Sequence, residues 1–246
     1  MPARHDLTTD PALQEQLLQV RWGTAFFARK LNELRDEELD GASLLPGWSR
    51  RHVVAHIGYN ARATARLIEW ARTGVETPMY ESIEVRNHEI LYGATLSPIA
   101  LRNLYYHAAI HLNVEWRDLP DEAWSHKVRT IQCREVPASE TVWMRSREIW
   151  VHTVDLANGA SFSDIPTEAL ERLLGDIALA WKVRGDSEGL LLKVSGTERS
   201  PLGDLDAKNP DIVSGSLPDI TAWACGRSSA GVSFSKQENR VAPRWI

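Results

Sequence analysis

Glu148 and His152 stand four residues apart in Trp143-Met144-Arg145-Ser146-Arg147-Glu148-Ile149-Trp150-Val151-His152, a carboxylate and an imidazole inside an otherwise apolar stretch. On a helix, positions i and i+4 lie about one turn apart on one face, so the two side chains can close on a single divalent cation. A third ligand has to come from another segment. At about 100° per residue, Thr141, Arg145, Glu148, His152 and Asp155 form one narrow stripe, flanked by Met144 and Val151 on one side and by Ile149 and Leu156 on the other. Two readings fit this pattern. Either the stripe faces solvent while Trp143, Trp150 and Val154 opposite make the core, or it lines a polar pocket in a helix bundle, where metal ligands are built from facing helices.

Other histidines compete for the place of the third ligand. His52 and His56 are spaced by four, and so are His107 and His111. His56 falls on an inward face with Val53, Ile57, Asn60 and Thr64, where a lone histidine is more often a hydrogen-bonded core residue than a ligand. His52 lies in the first helical turn, where exposure is expected. Spacing alone does not rank His107 and His111 below Glu148 and His152.

These side chains need helices to hold them. Asp10 as N-cap and Pro11 at the first helical position open a long helix, with Leu13, Leu17, Val20, Phe27 and Leu31 at three- and four-residue steps. It runs out in the acidic stretch 36–41, expected to be a solvated end. Ser49 caps a second helix that Thr73-Gly74 closes, and a short helix is possible from Ser82 to Ile90. Ser97-Pro98 starts the next long helix, which ends near Asp118. Residues 121–138 read as a loop or short irregular strand. Ser139 then caps the helix carrying Glu148 and His152, with Asn158-Gly159 as its left-handed end. After Ile165-Pro166 the pattern changes to a helix from Thr167, strand candidates at 189–194 and 211–213, and a short helix opened by Ser216 and Pro218 and closed by Gly226. The expectation is a mainly α chain: a four-helix bundle over 1–160, then a smaller α+β domain over 161–246.

Composition narrows the function classes. Of 246 residues, 43% are hydrophobic and 25% charged, which are globular values. A net charge of −5 with no Lys/Arg cluster argues against a nucleic-acid surface. Cys133 and Cys225 form no Cys-x-x-Cys pair, so neither a cysteine zinc site nor a disulfide framework is suggested. No run approaches the roughly 18 apolar residues of a membrane span, and the start of the chain has no apolar signal core. A cytoplasmic monomer without membrane or nucleic-acid partners is expected. Several of the ten tryptophans should pack the core or wall a pocket.

Three stretches together, 45–56 (Leu-Pro-Gly-Trp-Ser-Arg-Arg-His-Val-Val-Ala-His), Arg147-Glu148-x-x-x-His152 and 220–227 (Ile-Thr-Ala-Trp-Ala-Cys-Gly-Arg), resemble the mycothiol-dependent maleylpyruvate isomerases of the DinB-like metal proteins. The likeness runs over nearly the whole chain, including the smaller carboxy-terminal domain that simpler DinB-like members lack. The resemblance implies a DinB-like four-helix bundle with the metal on His56, Glu148 and His152. Many DinB-like proteins have histidine where this chain has Glu148, and zinc accepts either set. It also implies mycothiol as the thiol cofactor and a small dicarboxylate as substrate. Thiolate addition to the alkene of maleylpyruvate would turn the cis double bond into a single bond, and expulsion after rotation would give fumarylpyruvate. Arg227 is the candidate cation for a substrate carboxylate, with the carboxy-terminal domain closing over the site. Its competing role is to cap the carbonyls of its own helix. A mycothiol S-transferase is the alternative within the same chemistry. A non-enzymatic metal- or ligand-binding protein, or zinc-activated hydrolysis, lies outside it.

Overall fold

A computed structural model describes residues 5–236 and 240–245. The chain divides into two compact units, Met1–Ala160 and Ser161–Ile246.

The first unit is built on helices α1 (Pro11–Glu33), α2 (Arg50–Thr73), α3 (Ile83–Ala94), α4 (Pro98–Arg117) and α5 (Glu140–Asp155). At the start of α1 the Asp10 carboxylate accepts the backbone N–H groups of Ala12 and Leu13, and Pro11 has none to satisfy. Leu17, Val20, Phe27 and Leu31 of α1 are wholly buried. Against α5 the approach is so close that a Cβ on Gly23 would lie 2.9 Å from Ile149 Cγ2 and from the Trp150 ring. The central helix is α2, which packs on α3, α4 and α5 and has fifteen buried residues. It ends on Gly74 in the left-handed conformation, at φ 74°.

The acidic stretch after α1 is not simply solvated. It makes one 3-10 turn, Asp36–Asp40, with Leu39 fully buried, Asp36 paired to Arg102 at 3.3 Å and Asp40 to Arg51 at 2.5 Å. Three carbonyls, of Glu38, Leu156 and Ala157, accept from the Arg50 guanidinium at 2.7–3.0 Å. The carbonyls of Leu156 and Ala157, just past the last residue of α5, thereby gain the partner that the helix end does not give them. The chain leaves α5 through Ala157 at φ 50°, ahead of Gly159 at φ 72°, so the left-handed turn begins two residues before the expected glycine. Residues 121–138 are more regular than expected: a 3-10 turn, Asp121–Ser125, precedes the hairpin β1 (Lys127–Arg129) and β2 (Glu135–Pro137), with Val128 opposite Val136.

The helix α5 is buried on almost every side. Trp143, Trp150 and Val154 are in the core, and so are Thr141, Arg145 and Asp155 of the opposite stripe. The solvent-facing reading of that stripe therefore fails.

The second unit has α6 (Thr167–Arg184), β3 (Leu190–Val194), β4 (Leu202–Gly203), β5 (Asp211–Gly215), α7 (Leu217–Ala224) and β6 (Val232–Phe234). Its sheet runs β4-β3-β5-β6, with β3 and β5 parallel from Leu190 opposite Asp211 to Val194 opposite Gly215, and the outer pairs antiparallel. The two-residue β4 and the strand β6 lack a usable hydrophobic pattern, and the sequence did not indicate them. Trp181 of α6 and Trp223 of α7 meet edge to face at 6.0 Å, and Trp223 meets Phe234 at 5.9 Å. Among the described residues, no helix is long and apolar enough to cross a membrane.

Candidate metal centre

His56 projects from the second turn of α2, and Glu148 and His152 project from one face of α5. The packing of α2 on α5 brings the three together, with one ligand atom of each within 4.8 Å of the others. Glu148 Oε2 lies 2.9 Å from His56 Nε2 and 3.4 Å from His152 Nε2. The two imidazoles meet edge to face at 4.7 Å. His56 is almost fully buried, and the side chains of His152 and Glu148 are only 14% and 16% exposed.

The surroundings fix these groups. The Asp155 carboxylate, itself wholly buried, takes His152 Nδ1 at 2.8 Å, which turns Nε2 toward Glu148. One turn before Glu148, the buried Arg145 donates through Nη1 to the Ile57 carbonyl and to Asn60 Oδ1, both at 2.8 Å. Those acceptors lie on α2 beside His56, so Arg145 ties the two ligand-bearing helices together. Burial pushes its guanidinium down to about 10. The Trp48 ring lies against the His56 ring at 5.7 Å, and Arg86 of α3 donates toward His56 Nδ1 at 3.4 Å. Burial raises the nearby Tyr80 phenol above its ordinary value, against the pull of Arg86 and Arg145.

Electrostatics distinguishes the two histidines. Desolvation drives His56 down to about 4, although Glu148 pulls the other way. For His152 burial also disfavours the charge, but the hydrogen bonds to Asp155 and Glu148 outweigh it and lift the group to about 9. Burial works to raise Glu148, yet its bonds to His152 and His56 hold it well below the usual carboxylate range. The cluster thus holds an anionic carboxylate between two imidazoles.

The donor set fits a divalent metal. Tetrahedral zinc with bonds of about 2.0–2.1 Å to nitrogen and oxygen needs ligand atoms roughly 3.3 Å apart. The 2.9 and 3.4 Å separations fall around that value. Two imidazoles and one carboxylate also match a catalytic ligand set that leaves a fourth position for a substrate.

The competing histidines have other roles. His52 Nδ1 accepts the Ser49 backbone N–H at 3.2 Å and lies 2.9 Å from its hydroxyl, so it belongs to the start of α2. His107 is exposed on α4, and His111 is exposed and paired with Glu115 at 3.4 Å. Arg227 is half-buried just past α7, with Nη1 donating to the Cys225 carbonyl at 2.5 Å, the contact that the capping role describes. Cys225 itself is buried. Sequence reasoning passed over the contributions of Asp155, Asn60 and Arg86. The three-residue step from His152 to Asp155 was a readable signal, whereas Arg86 comes from a helix whose place against α2 no periodicity gives.

A family model described as the mycothiol maleylpyruvate isomerase N-terminal domain matches residues 20–157, more than half of the chain and including all three clustered residues. The chain belongs to the mycothiol maleylpyruvate isomerase family. Its likeness to solved members extends beyond that domain. A crystal structure of the mycothiol-dependent maleylpyruvate isomerase is 47% identical with a TM-score of 0.91, over 95% of this chain and 97% of that one. The structure of a histidine-to-alanine mutant of the mycothiol-dependent maleylpyruvate isomerase gives 46% and 0.91 over the same shares. No curated protein matches. A family assignment at this level covers the second unit as well as the bundle.

Proposed function

We propose that this chain is a zinc- and mycothiol-dependent cis-trans isomerase that converts maleylpyruvate to fumarylpyruvate. The observation that carries this reading is the meeting of His56, Glu148 and His152 on two packed helices, in a chain 47% identical to a mycothiol-dependent maleylpyruvate isomerase. Zinc is the metal we assign, because two histidines and one glutamate are a catalytic zinc donor set that leaves a position open. When bound, zinc keeps the thiol as a thiolate, whose reversible addition to the alkene lets the cis bond turn.

The chain's own residues prepare this chemistry. His56 and His152 offer Nε2, Asp155 fixes the ring of His152, and Arg145 holds α5 to α2 so that the ligands keep their spacing. The Glu148 carboxylate lowers the charge of the site relative to three histidines and so moderates the metal's Lewis acidity. On this reading the thiol comes from outside the chain: Cys225 is buried at the end of α7, and Cys133, though exposed, lies in the β1–β2 turn and belongs to no ligand cluster among the described residues. For Arg227 we retain a role in binding a substrate carboxylate, for which its planar fork is suited. Replacement by alanine is expected to raise the KM for maleylpyruvate.

The deciding assay follows maleylpyruvate and mycothiol together. An isomerase consumes maleylpyruvate only when thiol is present and leaves the thiol concentration unchanged. Stoichiometric loss of thiol with a stable thioether would make the chain an S-transferase. Full zinc content in both His56→Ala and His152→Ala would remove the ligand set altogether.

A further inference from the structure

The two ligand histidines have outer partners of opposite kinds. His152 turns its second ring nitrogen to an acceptor, the Asp155 carboxylate. His56 turns its second nitrogen, Nδ1, to a donor, Arg86 Nη2 at 3.4 Å. An imidazole that binds a metal through Nε2 carries its proton on Nδ1 and calls for an acceptor there. Arg86 therefore cannot serve the loaded site as the hydrogen-bond partner of His56, because two donors would face each other.

Nor does an acidic group account for its position. Among the described residues, the other polar partner of the guanidinium is the neutral Asn87 Oδ1 at 3.0 Å, and no carboxylate comes within the 4.0 Å of an ion pair. A half-buried guanidinium beside a site that binds a dication is a place where an anion would be attracted by both charges. Its placement is well defined. Ser82 caps α3, and at Gly93 the helix lies so close to α2 that a Cβ would come 2.7 Å from Ala55 Cβ and 2.8 Å from the Tyr59 ring.

We propose that Arg86 is a carboxylate-binding residue of the metal centre, its guanidinium taking one carboxylate of a small dicarboxylate bound there. The choice of a dicarboxylate rests on the isomerase reading; the anion site itself rests on the contacts of Arg86. Arg86 thus supplies a specificity contact from the bundle itself, in addition to the role suggested for Arg227.

The test is calorimetric titration of succinate, which cannot isomerise, into the zinc-loaded full-length protein without thiol, alongside Arg86→Gln and Arg86→Lys. The glutamine variant is expected to bind succinate about ten- to hundredfold more weakly, with lysine restoring part of the affinity and zinc affinity unchanged in both. Butyrate, with one carboxylate, is expected to lose less than succinate. Equal succinate binding by wild type and Arg86→Gln overturns the proposal, as does a loss of zinc affinity that accounts for the whole effect. Succinate binding that depends on Arg86, in a protein that leaves maleylpyruvate unchanged, would uphold the anion site while the isomerase reading failed. Turnover of maleylpyruvate with an unchanged KM in Arg86→Gln would do the reverse.

Discussion

His152 and His56 respond to acid in opposite ways, and metal binding has to overcome the first. With His152 lifted to about 9 in the metal-free protein, zinc must displace one proton from it over the neutral range. Apparent zinc affinity should therefore fall about tenfold for each pH unit of acidification, or roughly a hundredfold between about pH 8 and about pH 6. Competition with a chelator at the two pH values measures this, and a pH-independent affinity would contradict the assignment. The same shifts bear on the stability of the metal-free fold. Protonated His152 stabilises it fully below its ordinary value of 6.5, and that contribution is lost as pH rises from there to about 9. His56, depressed to about 4, makes the fold lose stability as pH falls from 6.5 toward 4. From these groups, the thermal midpoint of the metal-free protein should peak near the ordinary histidine value and decline on either side. Replacing Asp155 by asparagine removes the carboxylate that holds His152, and a drop in zinc affinity of about ten- to hundredfold is expected by the same chelator assay.

At the scale of elements, the ligand spacing depends on how closely α1, α2 and α5 pack. The contact at Gly23 allows no side chain, because Ile149 and the Trp150 ring occupy the place where a Cβ would go. Gly23→Ala should therefore destabilise the protein by about 1–3 kcal/mol, despite the better helix propensity of alanine, and denaturant unfolding would show it. An unchanged midpoint would mean that α5 shifts at no cost. The helices themselves were legible because their signals are local. Asp10-Pro11 and Ser97-Pro98 mark starts, Gly74 marks an end, and Leu13, Leu17 and Val20 repeat with the helical period. The end of α5 was less legible, because Arg50, a hundred positions earlier in the chain, satisfies the carbonyls just past it and Ala157 turns ahead of Gly159. Such long-range closure leaves no mark in the local sequence.

For the whole molecule, a metal that binds only the folded bundle stabilises it by mass action. At zinc a hundredfold above its dissociation constant, the gain is about 2.7 kcal/mol, so the melting midpoint should rise with zinc and return on chelation. His56→Ala should abolish that response. A midpoint indifferent to zinc in the wild type would contradict a site that forms only on folding. The first unit contains the whole ligand set, and the family's N-terminal domain model falls within it.

By itself the sequence determined the helices, the change of character after residue 165 and the pairing of Glu148 with His152, since each follows from spacing along one segment. It left His52, His56, His107 and His111 as rival ligands, and only a family resemblance chose among them. The tertiary structure decided between them physically. Packing of α2 on α5 brings His56 to Glu148, while His52 is taken up at a helix start and His107 and His111 face outward. It also placed Arg86 beside His56, from a helix whose position depends on the close approach at Gly93. A ligand set divided between helices is a property of their packing, and packing depends on side chains far apart in the chain, whose meeting no local pattern records.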